Sequence, residues 1–318
     1  MTAPAAGTTT DPWSAHRQRA ETLRAHYPFA GEVLALYLAL VAVWGEAADA
    51  ACAQAPAAEA RALAGWAGEH VLPRVVEATV EAGPDLLADA TRKLVEQGDA
   101  GQALVAWLSG PGDDLDPVER YLARASLRAP LEALEAGAGA CAEDPSPRGG
   151  RRCPRCGGLP QLSFRAETGD GLVSGRRSLL CARCGASWDY SSSACASCGE
   201  TGGARRTFYA ERREWPVVGH AHAPGHVPAP GKQAPGKQAP GKQAPGKQAP
   251  GKQAPAPLPT FPHLRIEGCS ACNRYLLEVD LGHDARAVPE VDELAALPLD
   301  LYAAERGLSK ITPNLMGF

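Results

Sequence analysis

Aromatic side chains are scarce in this chain of 318 residues, at 6%, and there are only two methionines. That shortage leaves little with which to stack nucleic-acid bases. Long apolar runs are also missing. The longest, Val33–Trp44, lies between Glu32 and Glu46. It is far shorter than the roughly 20 apolar residues a membrane-spanning helix needs, so no membrane insertion is expected. The opening residues, MTAPAAGTTTDPW, have neither the basic start nor the apolar centre of a secretion leader. The expectation is a cytoplasmic protein, in a compartment reducing enough to keep paired thiols free. The sequence contains no Gly-rich phosphate loop, no nucleophile elbow and no His-Glu-x-x-His helix. An enzyme is therefore not expected.

What is present is cysteine in a particular arrangement. Eight of the ten cysteines form four Cys-x-x-Cys pairs: Cys153/Cys156, Cys181/Cys184, Cys195/Cys198 and Cys269/Cys272. Such a turn places two sulfurs on one side of a tight loop. Glycine after the second cysteine permits the positive φ that the loop needs. Gly157, Gly185 and Gly199 stand there in three pairs, and Asn273, the next most tolerant type, in the fourth. Two such turns supply four thiolates, a tetrahedral set suited to zinc or a single iron. Eight cysteines thus predict two sites and two metal ions, iron or zinc, each held by four cysteines. Between Cys156 and Cys181 lie 24 residues, between Cys184 and Cys195 only ten. The spacing favours Cys153/Cys156 with Cys181/Cys184, and Cys195/Cys198 with Cys269/Cys272, while a crossed pairing stays open. Cys52 reads as a small core residue, and Cys141 is left without a role.

The rest of the chain divides by composition. Residues 1–10 are small and polar and read as a disordered N-terminus. Residues 11–137 are predicted to form an all-α bundle, opening at Asp11-Pro12, with a buried central helix over 30–52. Asp116-Pro117-Val118-Glu119 is a capping-box start, for a helix expected to end near Leu127 with another over 130–137. Residues 138–152, rich in Gly, Pro and Arg, read as a linker. A first four-cysteine module is placed at 153–190 and a second at 191–289, with strands expected at Gln161–Arg165, Ser178–Cys181 and Arg206–Tyr209. Five copies of Gly-Lys-Gln-Ala-Pro at 231–255 interrupt the second module and can form no core. Residues 290–318 close the chain as a helix and tail. The fold class is thus multidomain, α followed by small β. His220, His222 and His226 lie just before the repeat, and the Gly and Pro around them argue against an ordered metal site. His16, His26 and His70 read as surface or satisfied side chains.

These residues resemble a known family, the formate dehydrogenase accessory protein FdhE. The likeness rests on the helical opening RAETLRAHYPFAGEVLALYLAL and on the four pairs in order: CPRCGGLP, CARCGASW with Trp188, CASCG and CSACNRYLLEVD. It extends to ELAALPLDLYAAERG and the PNLMG ending. The repeat at 231–255 departs from that pattern. The resemblance implies a cytoplasmic maturation factor for respiratory formate dehydrogenase, in contact with the catalytic subunit that carries molybdenum or tungsten. It implies rubredoxin-like or zinc-ribbon modules able to hold iron, with Cys153, Cys156, Cys181, Cys184, Cys195, Cys198, Cys269 and Cys272 as ligands. It leaves homo-oligomerisation open.

Two other classes compete. A zinc-ribbon nucleic-acid binder would use Arg151, Arg152, Arg155, Arg176, Arg177, Arg205, Arg206, Arg212 and Arg213 on phosphates. Against it, residues 1–150 carry 21 acidic and 11 basic side chains, and five of the 21 basic residues in 151–318 are the repeat's lysines. No nucleic acid is expected as partner. A thiol-disulfide redox protein is the weaker alternative, since no thioredoxin-like βαβ pattern surrounds the pairs.

Overall fold

The structure, a computed structural model, describes residues 13–110, 114–134, 150–166, 175–211 and 260–317. The Asp11-Pro12 start signal, Cys141, the three clustered histidines, Arg212, Arg213 and the repeat lie outside the described residues. The described residues up to Ala210 and from Phe261 onward belong to one compact unit.

Among the described residues, seven α-helices come first: α1 (Ser14–His26), α2 (Gly31–Gln54), α3 (Ala60–His70), α4 (Leu72–Ala82), α5 (Asp85–Gln97), α6 (Ala100–Ser109) and α7 (Pro117–Ala133). The expected capping box opens α7. Asp116 Oδ1 accepts from the Val118 and Glu119 amides at 2.8 and 3.0 Å, and Glu119 Oε2 accepts from the Asp116 amide at 2.9 Å. α7 does not stop at Leu127 but runs through Pro130. Proline there forgoes one helical hydrogen bond, while the same turns bury Leu127, Ala129 and Leu131 in the core. The apolar packing of that last stretch outweighs the single lost bond.

α2 is the central helix. It buries Leu34, Leu36, Tyr37, Leu40, Val41, Val43 and Trp44 and packs on α1, α4 and α7. The Trp44 indole donates to Ala125 O at 2.7 Å, fixing α2 to α7. The length argument against a membrane span does not hold for this helix. Pro28–Gln54 runs 27 residues and holds an 18-residue window of mean hydropathy 1.6, long and apolar enough by length and composition alone to cross one, because alanines extend the helix past the apolar run, although a buried core helix such as this passes the same measure. Cys52 departs from expectation too: it is exposed near the C-terminal end of α2.

The second half of the unit is a seven-stranded sheet: β1 (Pro160–Arg165), β2 (Arg177–Cys181), β3 (Ser187–Asp189), β4 (Arg206–Tyr209), β5 (Leu264–Cys269), β6 (Arg274–Asp280) and β7 (Ser309–Lys310). The order is β3-β2-β1-β6-β5-β4, with β7 also on β6. The three strands foreseen in sequence all form. The two cysteine-bearing segments have the same plan, knuckle–strand–strand–knuckle–strand, and neighbours within each are antiparallel. They join edge to edge where β1 runs parallel to β6, Ser163 opposite Glu278 and Phe164 opposite Val279. One sheet therefore carries both cysteine sets. Where a single C-terminal helix was expected there are two, α8 (Pro289–Ala295) and α9 (Leu297–Glu305). Pro298 lies in the first turn of α9, where its missing N–H costs nothing but cannot continue α8.

Candidate metal centres and the junction that holds them

All four knuckles take the backbone form that their sequences foreshadow. Gly157 and Gly185 have φ +68°, Gly199 +80° and Asn273 +53°. Amides turn toward sulfur as a thiolate requires: Arg183 N lies 3.4 Å from Cys181 Sγ, and Ser197 N 3.4 Å from Cys195 Sγ.

The knuckles bring the eight thiols into two groups, Cys153/Cys156/Cys181/Cys184 and Cys195/Cys198/Cys269/Cys272, with the sulfurs of each within 4.8 Å of one another. This is the pairing the spacing favours. Sulfur separations decide what such a group can hold. Cys153–Cys184 and Cys156–Cys181 are 3.7 and 3.5 Å apart, and Cys195–Cys272 and Cys198–Cys269 are 3.9 and 3.8 Å apart. A disulfide needs about 2.05 Å. A tetrahedron with metal–sulfur bonds of about 2.3 Å has edges of about 3.8 Å. The donor chemistry and the spacing both fit one tetrahedral thiolate-bound ion per group, so each group can hold a metal ion.

The thiols perturb one another strongly. Burial pushes Cys181 far up, and burial foremost pushes Cys195 to about 12. Hydrogen bonds from Cys156, Cys181 and Cys184 hold Cys153 far below the ordinary thiol range. Burial opposes ionisation of Cys198, yet its hydrogen bonds from the Glu200 amide and the neighbouring thiols bring it down. Each group thus favours a shared, partly ionised state, and a dication is the natural replacement for the shared protons.

The first group is fully buried, and the helices hold it. Arg155 donates to Leu131 O at the end of α7. Arg183 donates to Cys156 O at 2.9 Å and also to Gly110 O after α6, tying both knuckles to the bundle. The second group differs: Cys198 is exposed and Cys272 half-buried. The Trp188 indole donates to Gly150 O at 2.8 Å and pins the chain entering the first knuckle.

Sequence reasoning missed the polar junction between bundle and sheet. Arg128 Nη2 on α7 lies 2.6 Å from both Glu290 of α8 and Glu132. Burial opposes the Arg128 charge, but the two carboxylates outweigh it and raise its pKa. Burial likewise opposes the Glu290 charge, and Arg128 holds that carboxyl below its usual range. Arg124, one turn earlier, is pulled by burial down to about 10. It donates to Pro313 O at 2.6 Å and to Gln161 of β1. Lys310 sits 2.8 Å from Glu293 and 3.0 Å from Asp300, which also accepts from the Tyr275 hydroxyl at 2.9 Å. Arg19 and His263 converge on Asp292. The available signal was the pair Arg124 and Arg128, four apart in the otherwise apolar YLARASLRAPL.

Most of the arginines considered for phosphate binding are engaged within the chain. Arg177 and Arg206 pair with the buried Glu267, Arg176 with Asp189 and Arg205 with Glu200. Arg151 and Arg152 donate to the knuckle carbonyls of Ser197 and Gly157.

The fold and sites define a class: a helical bundle clasping a tandem pair of zinc-ribbon-like four-cysteine units in one sheet. Residues 257–316 match the family model of the FdhE C-terminal domain. An FdhE homolog of Aquifex aeolicus is 25% identical over 166 residues, covering 52% of this chain and 41% of that protein. One of Pseudomonas putida is 27% identical over 165 residues, covering 52% and 38%. The matched stretch therefore spans less than half the length of these relatives. The fold is that of the crystal structure of the FdhE protein from Pseudomonas aeruginosa, with TM-score 0.60 and 21% identity over 96% of this chain and 95% of that one. The chain is thus similar to these FdhE proteins over about half its length, and it shares the fold of the FdhE crystal structure.

Proposed function

We propose that the chain is an accessory protein for formate dehydrogenase, acting in the cytoplasm and binding the catalytic subunit during assembly. The carrying observation is the pair of four-cysteine groups on the fold shared with FdhE, joined to an FdhE C-terminal domain at 257–316. Cys153, Cys156, Cys181 and Cys184 are proposed to ligate one ion, and Cys195, Cys198, Cys269 and Cys272 a second, iron or zinc in each. These ions would supply rigidity to a sheet whose knuckle ends have little apolar core of their own. The segments 153–190 and 191–289 then act as successive metal modules on the helical domain 11–137. The role proposed is binding rather than catalysis, in keeping with the accessory-protein likeness. The engagement of Arg151, Arg152, Arg155, Arg176, Arg177, Arg205 and Arg206 within the chain speaks against the nucleic-acid reading.

The direct test is co-purification with the formate dehydrogenase catalytic subunit, combined with formate dehydrogenase activity in a deletion strain. Capture of that subunit and loss of activity are expected. Normal activity in the deletion strain would overturn the reading.

A further inference from the structure

One ligand plan has been built twice in this chain, and only one copy has been enclosed. The first group lies under α6 and α7. All four of its cysteines are buried, Arg155 and Arg183 bind its knuckles to helix-end carbonyls, and Gly185 packs beneath Arg128 and Glu132. In the second unit α9 reaches β5 and α8 reaches β6, but the knuckle tips stay outside. Cys198 is exposed, Cys272 half-buried, and Ser270, Ala271 and Asn273 beside it are exposed. Space around the backbone differs in the same sense. At the position after the second cysteine, a Cβ on Gly185 would lie 2.5 Å from Arg128 Cζ and 2.5 Å from Glu132 Oε1, whereas one on Gly199 would meet nothing nearer than the Arg151 side chain at 3.6 Å, and only Gly157 in the first group is open.

Ligand exchange at a tetrathiolate ion is associative in its demand: an incoming donor must reach the metal before a cysteine leaves. Solvent access and the enclosing shell therefore set its rate. Resting on the proposal that both groups hold a metal, we infer that the two centres have divided roles. The first is a permanent staple between bundle and sheet. The second is an exchange site that opens at Cys198 to soft, thiolate-bearing ligands. In the opening step an incoming thiolate forms a metal–sulfur bond as the Cys198 Sγ–metal bond breaks, and the released Cys198 thiolate takes a proton from water. No electron changes hands. Cys272 is the next ligand to go, and the buried Cys195 and Cys269 are the last. The second centre is thus where metal enters or leaves the folded protein.

The test uses the full chain reconstituted with two equivalents of zinc. It is challenged with the chromogenic chelator 4-(2-pyridylazo)resorcinol, and in parallel with iodoacetamide followed by peptide mapping. One zinc is expected to transfer faster than the other by about tenfold or more. Cys198 and then Cys272 should be alkylated with the fast phase, and Cys153, Cys156, Cys181 and Cys184 only with the slow one. The Cys198→Ser variant should lose the fast phase and keep the slow zinc, with unchanged far-ultraviolet circular dichroism. Release of both ions at one rate, or alkylation of the first group ahead of Cys198, overturns the division of roles while leaving two centres standing. Binding of fewer than two ions overturns the two-centre reading itself, and the division with it.

Discussion

Gly185 lies directly beneath the Arg128 guanidinium: a Cβ on Gly185 would stand 2.5 Å from Arg128 Cζ and 2.5 Å from Glu132 Oε1. The second knuckle of the first cysteine group is thus pressed against the buried ion cluster of α7. Gly157, its counterpart in the first knuckle, has the same φ of +68° but open space around its missing Cβ. Gly157→Ala therefore isolates the backbone strain, about 1–2 kcal/mol. Gly185→Ala adds the displacement of a guanidinium held by two carboxylates. The expected result is a clearly larger drop in thermal midpoint for Gly185→Ala. Equal drops would mean that Arg128 moves aside freely.

Arg128 is itself the second point of test. It neutralises Glu290 and Glu132, each 2.6 Å away, and Arg128→Met would strand Glu290 in a buried setting. Breaking such a pair costs about 3–5 kcal/mol, and urea denaturation of the variant should show a loss of that order. Adding Glu290→Gln removes the stranded charge, so the double variant should regain part of the loss. If the double variant is as unstable as the sum of the singles, the two residues are not coupled.

The contrast between what was and was not legible in the sequence follows from the range of the interactions. Knuckle glycines, Asn273, the capping box at Asp116 and the three foreseen strands are local features, and each formed as read. The pairing of the cysteine groups followed from chain length between them. By contrast, α7 running through Pro130 depends on what Leu131 packs against, a tertiary matter. The sharing of one sheet by both groups depends on β1 meeting β6, with Ser163 opposite Glu278 and no local signal for that pairing. The junction ions are of the same kind: Arg124 is joined to Pro313 and Gln161, partners that no helical periodicity points to. The tail motif Asn314–Gly317, noted only as a family likeness, gains a physical role there. Its preceding carbonyl, Pro313 O, is the acceptor for buried Arg124, and Asn314 Oδ1 accepts from the Met316 amide at 3.0 Å.

Acidification should weaken the fold through His16. Its Nδ1 stands 2.7 Å from the Tyr37 hydroxyl. Burial foremost lowers its pKa, with Arg128 adding and Glu290 opposing. The unfolded chain binds this proton near pH 6.5, the folded chain only at lower pH. The His16 contribution is therefore fully present above about pH 6.5 and lost as pH falls through the lowered value. The depressed Glu290 carboxyl acts in the same direction, but only further down, in the carboxylate range. Urea midpoints should fall between about pH 7 and pH 5.5, and His16→Gln should flatten that fall. An unchanged slope in the variant would assign the effect to other groups.

Deleting the five Gly-Lys-Gln-Ala-Pro copies at 231–255 should leave both centres intact. Cys198 and Cys269 stand 3.8 Å apart at sulfur across 70 intervening residues, and removing the repeat leaves 45. Closure entropy grows with the logarithm of loop length, so this shortening changes the cost of joining the two cysteines by only about 0.4 kcal/mol, in the stabilising direction. The repeat itself contains no cysteine or histidine. Metal analysis of the deleted protein should return the same stoichiometry as the full chain, with a thermal midpoint unchanged or slightly higher. Loss of one equivalent would mean that the repeat contributes to forming the second centre by more than its length.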